Sequence, residues 1–470
     1  MIPRNLSNPF FVILLAVSQL LLLMGSACDR SPDAPATEQH TGPMEDTYLG
    51  VPSHEITDAA VDHLQTWYPA IIDSVEGGYY TNFEYDWTRS GQQPRMLVTQ
   101  ARGLWTAARA ATLFPDEELF AAAAGHGYRF LTEQMWDEEN GGFFNYFRDG
   151  SAVRSTPYKM AYSNAFALYA LAEYAKINSS DEVLEWVERA FDWLESASHD
   201  PRHGGYHNLI LSDELREQYR QDPDALGIGG WGQPEWKGQN TNIHVLEALS
   251  VTYQVLPVPK VRERLAEMIE LIRDVLTTPE GHLNLYFTAD WDPIDHSDSS
   301  RAYILENQSL DHISFGHDIE TAYLLIDAAE SLDGEVDEQT LTVAKRLVDH
   351  TLAHGFDDDY RGIFHSGYRF EESGGVEILS RSKSWWAQFE GWHTLALMHR
   401  FYPDEEEYPI AFQNMWEYMQ EYLFDHEHGG VYNNGLDEDP GSRTDRKAHQ
   451  WKGPYHDGRA LMYIWQELQK

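Results

Sequence analysis

The sequence predicts an all-α protein, an (α/α)6 barrel of six helical hairpins with short β-ribbons in the connecting turns. Three observations predict it. A glycine turn recurs six times, helical periodicity fills the intervals, and polar stretches suited to one site fall in several different intervals.

The turns are Gly77-Gly78-Tyr79-Tyr80, Gly141-Gly142-Phe143-Phe144, Gly204-Gly205-Tyr206-His207, Gly281-His282-Leu283-Asn284, Gly362-Ile363-Phe364 and Gly429-Gly430-Val431-Tyr432. Counted at Gly78, Gly142, Gly205, Gly281, Gly362 and Gly430, they are 64, 63, 76, 81 and 68 residues apart. A period this long marks repeated supersecondary units. Glycine permits the tight return between helices, and pairs such as Phe143-Phe144 suit a short ribbon. Within the intervals, Tyr162 to Tyr174 sets Phe166, Tyr169, Ala170 and Tyr174 near a 3.6-residue spacing. Glu182 to Leu194 does the same with Val183, Trp186, Phe191, Trp193 and Leu194, and residues 261–276 and 318–331 repeat the theme. Two helices fit each interval. An open solenoid of helix pairs is the competing architecture. The count of six favours a closed ring, which also lets a chain too long for one compact core bury an inner layer against an outer one.

Ahead of the repeats, Arg4 precedes an apolar run from Phe10 to Leu23, too short for a comfortable membrane span. Gly25-Ser26-Ala27 and then Cys28 follow, and Cys28 is the only cysteine. This resembles the lipobox of bacterial lipoproteins, with Gly25 where leucine is usual. The expected organisation is a lipoprotein-type signal peptide at 1–27, an acylated Cys28 and flexible Pro- and acid-rich tether at 28–46, and the barrel domain at 47–470. The expected location is exported and lipid-anchored to a bacterial membrane, periplasmic or at the cell surface. A single cysteine excludes an intramolecular disulfide framework.

Asp plus Glu number 76 against 34 Lys plus Arg, a formal charge of −42. A nucleic-acid partner needs a basic footprint that is missing. Membrane contact is expected only through the lipid anchor, and the self-repelling surface goes with an expected monomer. Aromatic residues make up 13%, with 15 Trp and 26 Tyr. Such rings serve as flat platforms with polar tips, as a carbohydrate ligand requires, and equally as packing for a large helical core.

Four stretches are denser in polar groups than helix packing needs: Asn240 to Glu247, Ser314 to Glu320, Lys383 to Glu390, and Trp451 to Arg459. Thr99 to Trp105 adds Arg102 beside aromatics. His244/Glu247 and His317/Glu320 are i, i+3 pairs that share a helix face. They can be hydrogen-bonded pairs or metal ligands, since Glu-x-x-His pairs hold di-iron sites in bundles. The further carboxylates of such a site are not evident, so no metal is expected.

These stretches resemble the N-acylglucosamine 2-epimerase superfamily, and within it the cellobiose 2-epimerases most closely. The family motifs Asn-Thr-x-x-His-x-x-Glu-Ala, Ser-aromatic-Gly-His-Asp-Ile-Glu, Lys-x-Trp-Trp-x-Gln-x-Glu and Trp-Lys-x-Pro-Tyr-His-x-x-Arg are met at Asn240–Ala248, Ser314–Glu320, Lys383–Glu390 and Trp451–Arg459. The likeness runs in order from about residue 55 to the end. The resemblance implies the (α/α)6 barrel, acid–base roles for His317 and His456, and substrate contacts from Arg102, Tyr162, Asn240, His244, Glu320, Trp386, Glu390 and Trp451. Trp386 and Trp451 would stack on sugars. Two departures bear on subsite preference: Asn242 stands where many relatives have a second histidine, and Arg95 where lysine is usual.

The implied reaction is epimerisation at carbon 2 of the reducing-end sugar in β-1,4-linked disaccharides of the cellobiose, mannobiose or lactose type. The hydrogen on carbon 2 of an open-chain aldose is acidified by the neighbouring carbonyl, and its removal leaves a cis-enediolate. Histidine titrates near the working pH and suits both halves of such a proton transfer. Arg102 and His244 would stabilise the enediolate oxygens, and Glu320, one turn from His317, would orient it and raise its basicity. No cofactor is required. Protonation at carbon 1 instead would make an aldose–ketose isomerase. A glycoside hydrolase on the same barrel would need two carboxylates flanking a scissile bond. A glycan-binding lipoprotein without turnover is the third alternative.

Overall fold

A computed structural model describes residues 46–148, 151–152, 158–226, 233–371 and 374–470. Cys28 and the expected signal and tether lie outside these residues. Asp46–Lys470 forms one compact unit, and among the described residues no helix is long and apolar enough to cross a membrane.

Fourteen α-helices occur among the described residues. In chain order they are α1 (Ser53–Trp67), α2 (Leu97–Leu113), α3 (Glu118–Phe130), α4 (Ala161–Ile177), α5 (Asp181–Ser198), α6 (Asp213–Gln221), α7 (Gln239–Val255), α8 (Pro259–Leu271), α9 (Arg301–Asn307), α10 (Phe315–Asp333), α11 (Glu338–Gly355), α12 (Trp385–Phe401), α13 (Glu407–Tyr418) and α14 (His456–Glu467). The expected helices at 162–174, 182–194, 261–276 and 318–331 correspond to α4, α5, α8 with the π turn that ends it at Leu276, and α10.

The inner ring is α2, α4, α7, α10, α12 and α14, each packed against the next, with α14 returning to α2. These helices are buried almost all round: in α4, 15 of 17 positions from Ala161 to Ala175 are buried. The outer helices α1, α3, α5, α8, α11 and α13 bury one stripe only, as α5 does with Val183, Val187, Ala190, Phe191 and Leu194. The fold is the (α/α)6 barrel, with α6 and α9 inserted between a glycine turn and the inner helix that follows it.

Each glycine turn joins an outer helix to the inner helix of its repeat. The chain leaving a turn pairs with the segment that enters the preceding inner helix: Tyr146–Phe147 with Arg95–Met96, Leu209–Ile210 with Lys159–Met160, Tyr286–Phe287 with Lys237–Gly238. Single bridges continue the pattern at Gly367↔Ile313 and Asn434↔Ser384, and Phe83↔Ala448 joins the first repeat to the sixth. The ring is therefore closed by backbone pairing as well as by helix packing. One larger hairpin, Ser366–Phe370 with Gly375–Ser380, stands out from the fifth repeat.

Buried ion pairs staple the turns. Lys159, Lys237 and Lys383, each just before an inner helix, reach Asp137, Asp200 and Asp357 of their own turns at 2.7 Å. Arg95–Asp73 and Lys447–Asp425 complete five of six repeats. Arg95 thus serves as the staple of the first repeat. The fourth turn is one residue shorter. Its closing bond runs from Thr278 N–H to His282 O, where other turns bond Asp to the second glycine, as Asp137 to Gly142. His282, rather than Gly281, therefore holds the second-glycine position. Elsewhere that position needs glycine: Gly142 has φ +70°, and a Cβ there would lie 2.3 Å from the Trp193 ring.

A second device repeats at the fourth residue of five inner helices. Gln100, Asn164, Asn242, Asp318 and Gln388 each accept the backbone N–H that follows the turn, from Tyr79, Phe143, Tyr206, Leu283 and Ile363 at 2.7–2.9 Å. Asn242 also donates to the Tyr206 and Gly238 carbonyls. It is a fully buried clamp, so this departure from the family motif lies in the scaffold, contrary to the expectation that it tunes a subsite.

Candidate active site

The inner helices begin at the end of the ring that carries the turns, and their first turns bring the four polar stretches together. His317 lies in the first turn of α10, Trp386 in that of α12, and His456 opens α14. Trp386 is half-buried beside both histidines, its ring 4.8 Å from that of His317 and 5.9 Å from that of His456.

The two imidazoles are held differently. His317 Nδ1 is 2.7 Å from Ser314 Oγ. His456 Nδ1 is 2.6 Å from Glu390 Oε1. In both, Nδ1 is engaged and Nε2 is left for a substrate. Burial pushes both below the ordinary histidine value, His317 to about 3, with nearby His244 and Arg102 adding to the shift. Both imidazoles are therefore neutral at neutral pH, the state a proton acceptor requires.

Beneath His456 lies a charged network in which every member is buried. Arg459 donates to Glu247, to the Tyr455 hydroxyl at 2.6 Å and to Glu320 Oε1 at 2.8 Å. Its Nη2 also lies 2.5 Å from Glu390 Oε2. Glu247 accepts further from the Tyr455 hydroxyl at 2.5 Å and pairs with His244 Nδ1 at 2.8 Å. Arg459 and these donors hold its carboxyl down at about 2 against the opposing effect of burial. The expected His244–Glu247 pair is thus present. The parallel expectation for His317 and Glu320 is corrected: Ser314 holds His317, and Glu320 turns to Arg459, because the guanidinium one layer deeper offers a charged partner.

Arg102 is buried with its guanidinium over the Phe166 ring at 4.3 Å, and it donates to the Tyr162 hydroxyl at 3.1 Å. Among the described residues no carboxylate lies within 4.0 Å of it. Tyr162 in turn meets His244 edge-on at 5.4 Å. Asn240 lines a cavity of about 150 Å³ with His317, Ser314, His312, Tyr286 and Gln239. Asn240 Oδ1 and Gln239 Nε2 are buried there without a protein partner, as polar groups awaiting hydroxyls would be. Trp451 stays 38% exposed, in the loop leading to His456.

Glu320, Glu390 and His456 lie close enough to share a metal ion, as do Asp357, Asp437 and Glu438. Protein cations occupy both centres: Arg459 sits on Glu320 and Glu390, and Lys383 on Asp357 and Asp437. Each donor set already has a protein cation as partner.

The motifs supplied every residue of this network, but single-residue reasoning missed Ser314, Tyr455 and Arg459 as partners of the site. The i, i+3 spacing of Ser314 and His317 was the available signal for the first.

Comparison with known proteins agrees with the geometry. The family model for N-acylglucosamine 2-epimerase (GlcNAc 2-epimerase) matches residues 78–458. A cellobiose 2-epimerase of Bacteroides fragilis is 26% identical over 411 residues, covering 85% of this chain and 95% of that protein. A D-mannose isomerase of Marinomonas mediterranea is 25% identical over 416 residues, 87% and 96% of the two chains. The solved cellobiose 2-epimerase of Spirochaeta thermophila superposes with a TM-score of 0.73 at 28% identity, covering 89% of this chain and 96% of that one. With the family match spanning most of the barrel, the chain is an epimerase/isomerase enzyme that belongs to the N-acylglucosamine 2-epimerase family.

Proposed function

We propose that the protein interconverts the glucose and mannose forms of the reducing-end residue of β-1,4-linked disaccharides, of the cellobiose, mannobiose or lactose type. One observation carries the reading: two neutral histidines from separate repeats, His456 buried and His317 half-buried, approach one indole, each with Nδ1 engaged and Nε2 available. A cellobiose-type substrate is supported by the similarity to cellobiose 2-epimerases at 24–28% identity.

The open-chain aldose would bind with carbon 2 between the two rings. One imidazole takes the proton, and the electrons of the C–H bond form the enediolate. Arg102, a buried cation with no carboxylate on it, stabilises the developing oxyanion without reorganising. The other imidazole delivers a proton to the opposite face. Trp386 and the rim residue Trp451 offer stacking surfaces for the sugars.

The test is incubation with cellobiose, mannobiose and lactose in heavy water, followed by NMR. Deuterium at carbon 2 of a new epimer is the expected result. Substrate returned unlabelled across the panel would sink the proposal. A second reading is favoured by the similarity to a D-mannose isomerase: protonation at carbon 1 would give a ketose, and the same spectra would show it.

For the cell, we propose export and a lipid anchor on Cys28, with the enzyme a monomer. Cys28→Ser should release the protein from membranes into the soluble fraction; unchanged membrane retention would refute the anchor.

A further inference from the structure

Five charged side chains converge below Trp386, and they do not balance. Glu247, Glu320 and Glu390 face Arg459 and Arg102, all of them buried. Fully ionised, the set carries one net negative charge in a space with little solvent, which is costly. One additional proton brings it to neutrality.

The hydrogen bonds say where that proton resides. Glu247 accepts from Arg459 and Tyr455 and pairs with His244 Nδ1, and Glu320 accepts an aligned bond from Arg459. Bonds of this kind favour the ionised carboxylate. Glu390 has less of this support, an ion pair with Arg459 but no aligned bond. Its Oε2 is near Arg459 but lacks an aligned hydrogen bond, and its Oε1 is 2.6 Å from His456 Nδ1. On its own helix His393 Nδ1 lies 3.7 Å from Glu390 and is within 3.2 Å of the Phe389 carbonyl. From α7 and α10, Glu247 and Glu320 face it with negative charge. We infer that Glu390 and His456 share one resident proton in the resting site, and that this pair is the proton source for carbon 2 while His317 is the acceptor.

The inference rests on the epimerase reading and deepens it. With the proton on Glu390, His456 accepts at Nδ1 and carries its own hydrogen on Nε2. When His317 Nε2 takes the carbon-2 proton, His456 Nε2 gives its hydrogen to the opposite face. The Glu390 proton then passes to Nδ1. The balance is one proton moved from Glu390 to His317, leaving a carboxylate and an imidazolium. That state is set for the reverse reaction, and exchange with solvent restores the first. Burial, with Glu320 alongside, pushes the Glu390 carboxyl well above its usual range, which agrees. His317 Nδ1 bonds the Ser314 hydroxyl, and among the described residues no carboxylate lies within 4.0 Å of the ring nitrogens to serve as a comparable store. Glu390 acts through His456 and is a positioning and proton-storing residue.

The test is infrared difference spectroscopy on the full chain without substrate at neutral pH, wild type minus Glu390→Gln. The expected result is the carbonyl band of a protonated carboxylic acid, present in wild type, shifted in heavy water and missing from the variant. The Asp318→Asn chain, which lacks the protonated carboxyl expected at Asp318, should keep the Glu390 band and, titrated upward in pH, lose it only in the alkaline range. This keeps the test open if Glu390→Gln folds poorly. Glu390→Gln should also lower kcat on the order of 10²-fold or more with KM little changed. No protonated-acid band lost on Glu390→Gln, or a variant with wild-type kcat, would overturn the inference. If wild type still deuterates carbon 2 while the band is absent, this inference alone falls and the reaction stands.

Discussion

His317 and His456 have the same side chain, yet their surroundings differ, and His456 is buried where His317 is half-buried. His317 rests on a neutral hydroxyl from its own helix start, three residues away. His456 rests on a carboxylate 66 positions away in sequence, and behind that carboxylate stands a network spanning α7, α10, α12 and α14. The local partner can be donor or acceptor and adds no charge. The distant partner ties its histidine to the electrostatics of the whole ring. The lesson is that identical imidazoles are made chemically distinct by what Nδ1 touches.

The largest expected effect comes from removing either imidazole. His317→Ala and His456→Ala should each lower kcat by about 10²- to 10⁴-fold, measured by epimer formation. A variant of either with unimpaired turnover would show that the ring plays no part in the proton transfer. The comparison sharpens at the next step. Ser314→Ala should cost only about tenfold in kcat, less than the loss expected for Glu390→Gln, because a hydroxyl orients without charge. Equal losses in the two variants would erase the distinction drawn here.

Acid tolerance follows from the depressed histidine values. His317 is held down to about 3 by burial, with nearby His244 and Arg102 adding to it. Its neutral, proton-accepting form is lost only as pH falls through that lowered value. The acid limb of kcat/KM assigned to His317 should therefore lie well below the ordinary histidine value of about 6.5. An acid limb at that ordinary value that vanishes in a His317 variant would contradict the burial argument.

The smallest effect concerns Asp318, next to His317 in sequence but part of the clamp. Burial raises its carboxyl well above the usual range, and Oδ2 has no protein partner. Its contribution is complete below the unfolded carboxylate value of about 3.9 and declines as pH rises toward the folded one. Asp318→Asn, which places an amide where four other repeats have one, should melt like wild type at pH 4 and higher than wild type at pH 8. Catalysis should be unchanged. A variant that melts lower at pH 8 would mean that the carboxylate is ionised in the fold.

Much of this was legible from residue order. The six glycine turns and the 3.6-residue spacing set the helix pairs, because local backbone freedom and amphipathic period are properties of short segments. The Ser314–His317 and His244–Glu247 spacings are equally local, and both pairs are bonded in the structure. Glu320 shows the limit. Its i, i+3 distance from His317 made a bond plausible, and Arg459, 139 residues later, took it instead. Arg95 and Asn242 show the same limit from the other side: as motif departures they suggested sugar preference, and in space they staple and clamp turns.

The sequence by itself determined the repeat, the helices, the family and the set of polar residues, since turn glycines, periodicity and motif order act within a few residues of one another. Tertiary structure alone decided the closure through Phe83 and Ala448, the choice of Arg459 as the common partner of three carboxylates, and the unequal settings of the two histidines. Those outcomes depend on distances between segments far apart in the chain and on burial, which makes charge pairing strong and unpaired charge costly.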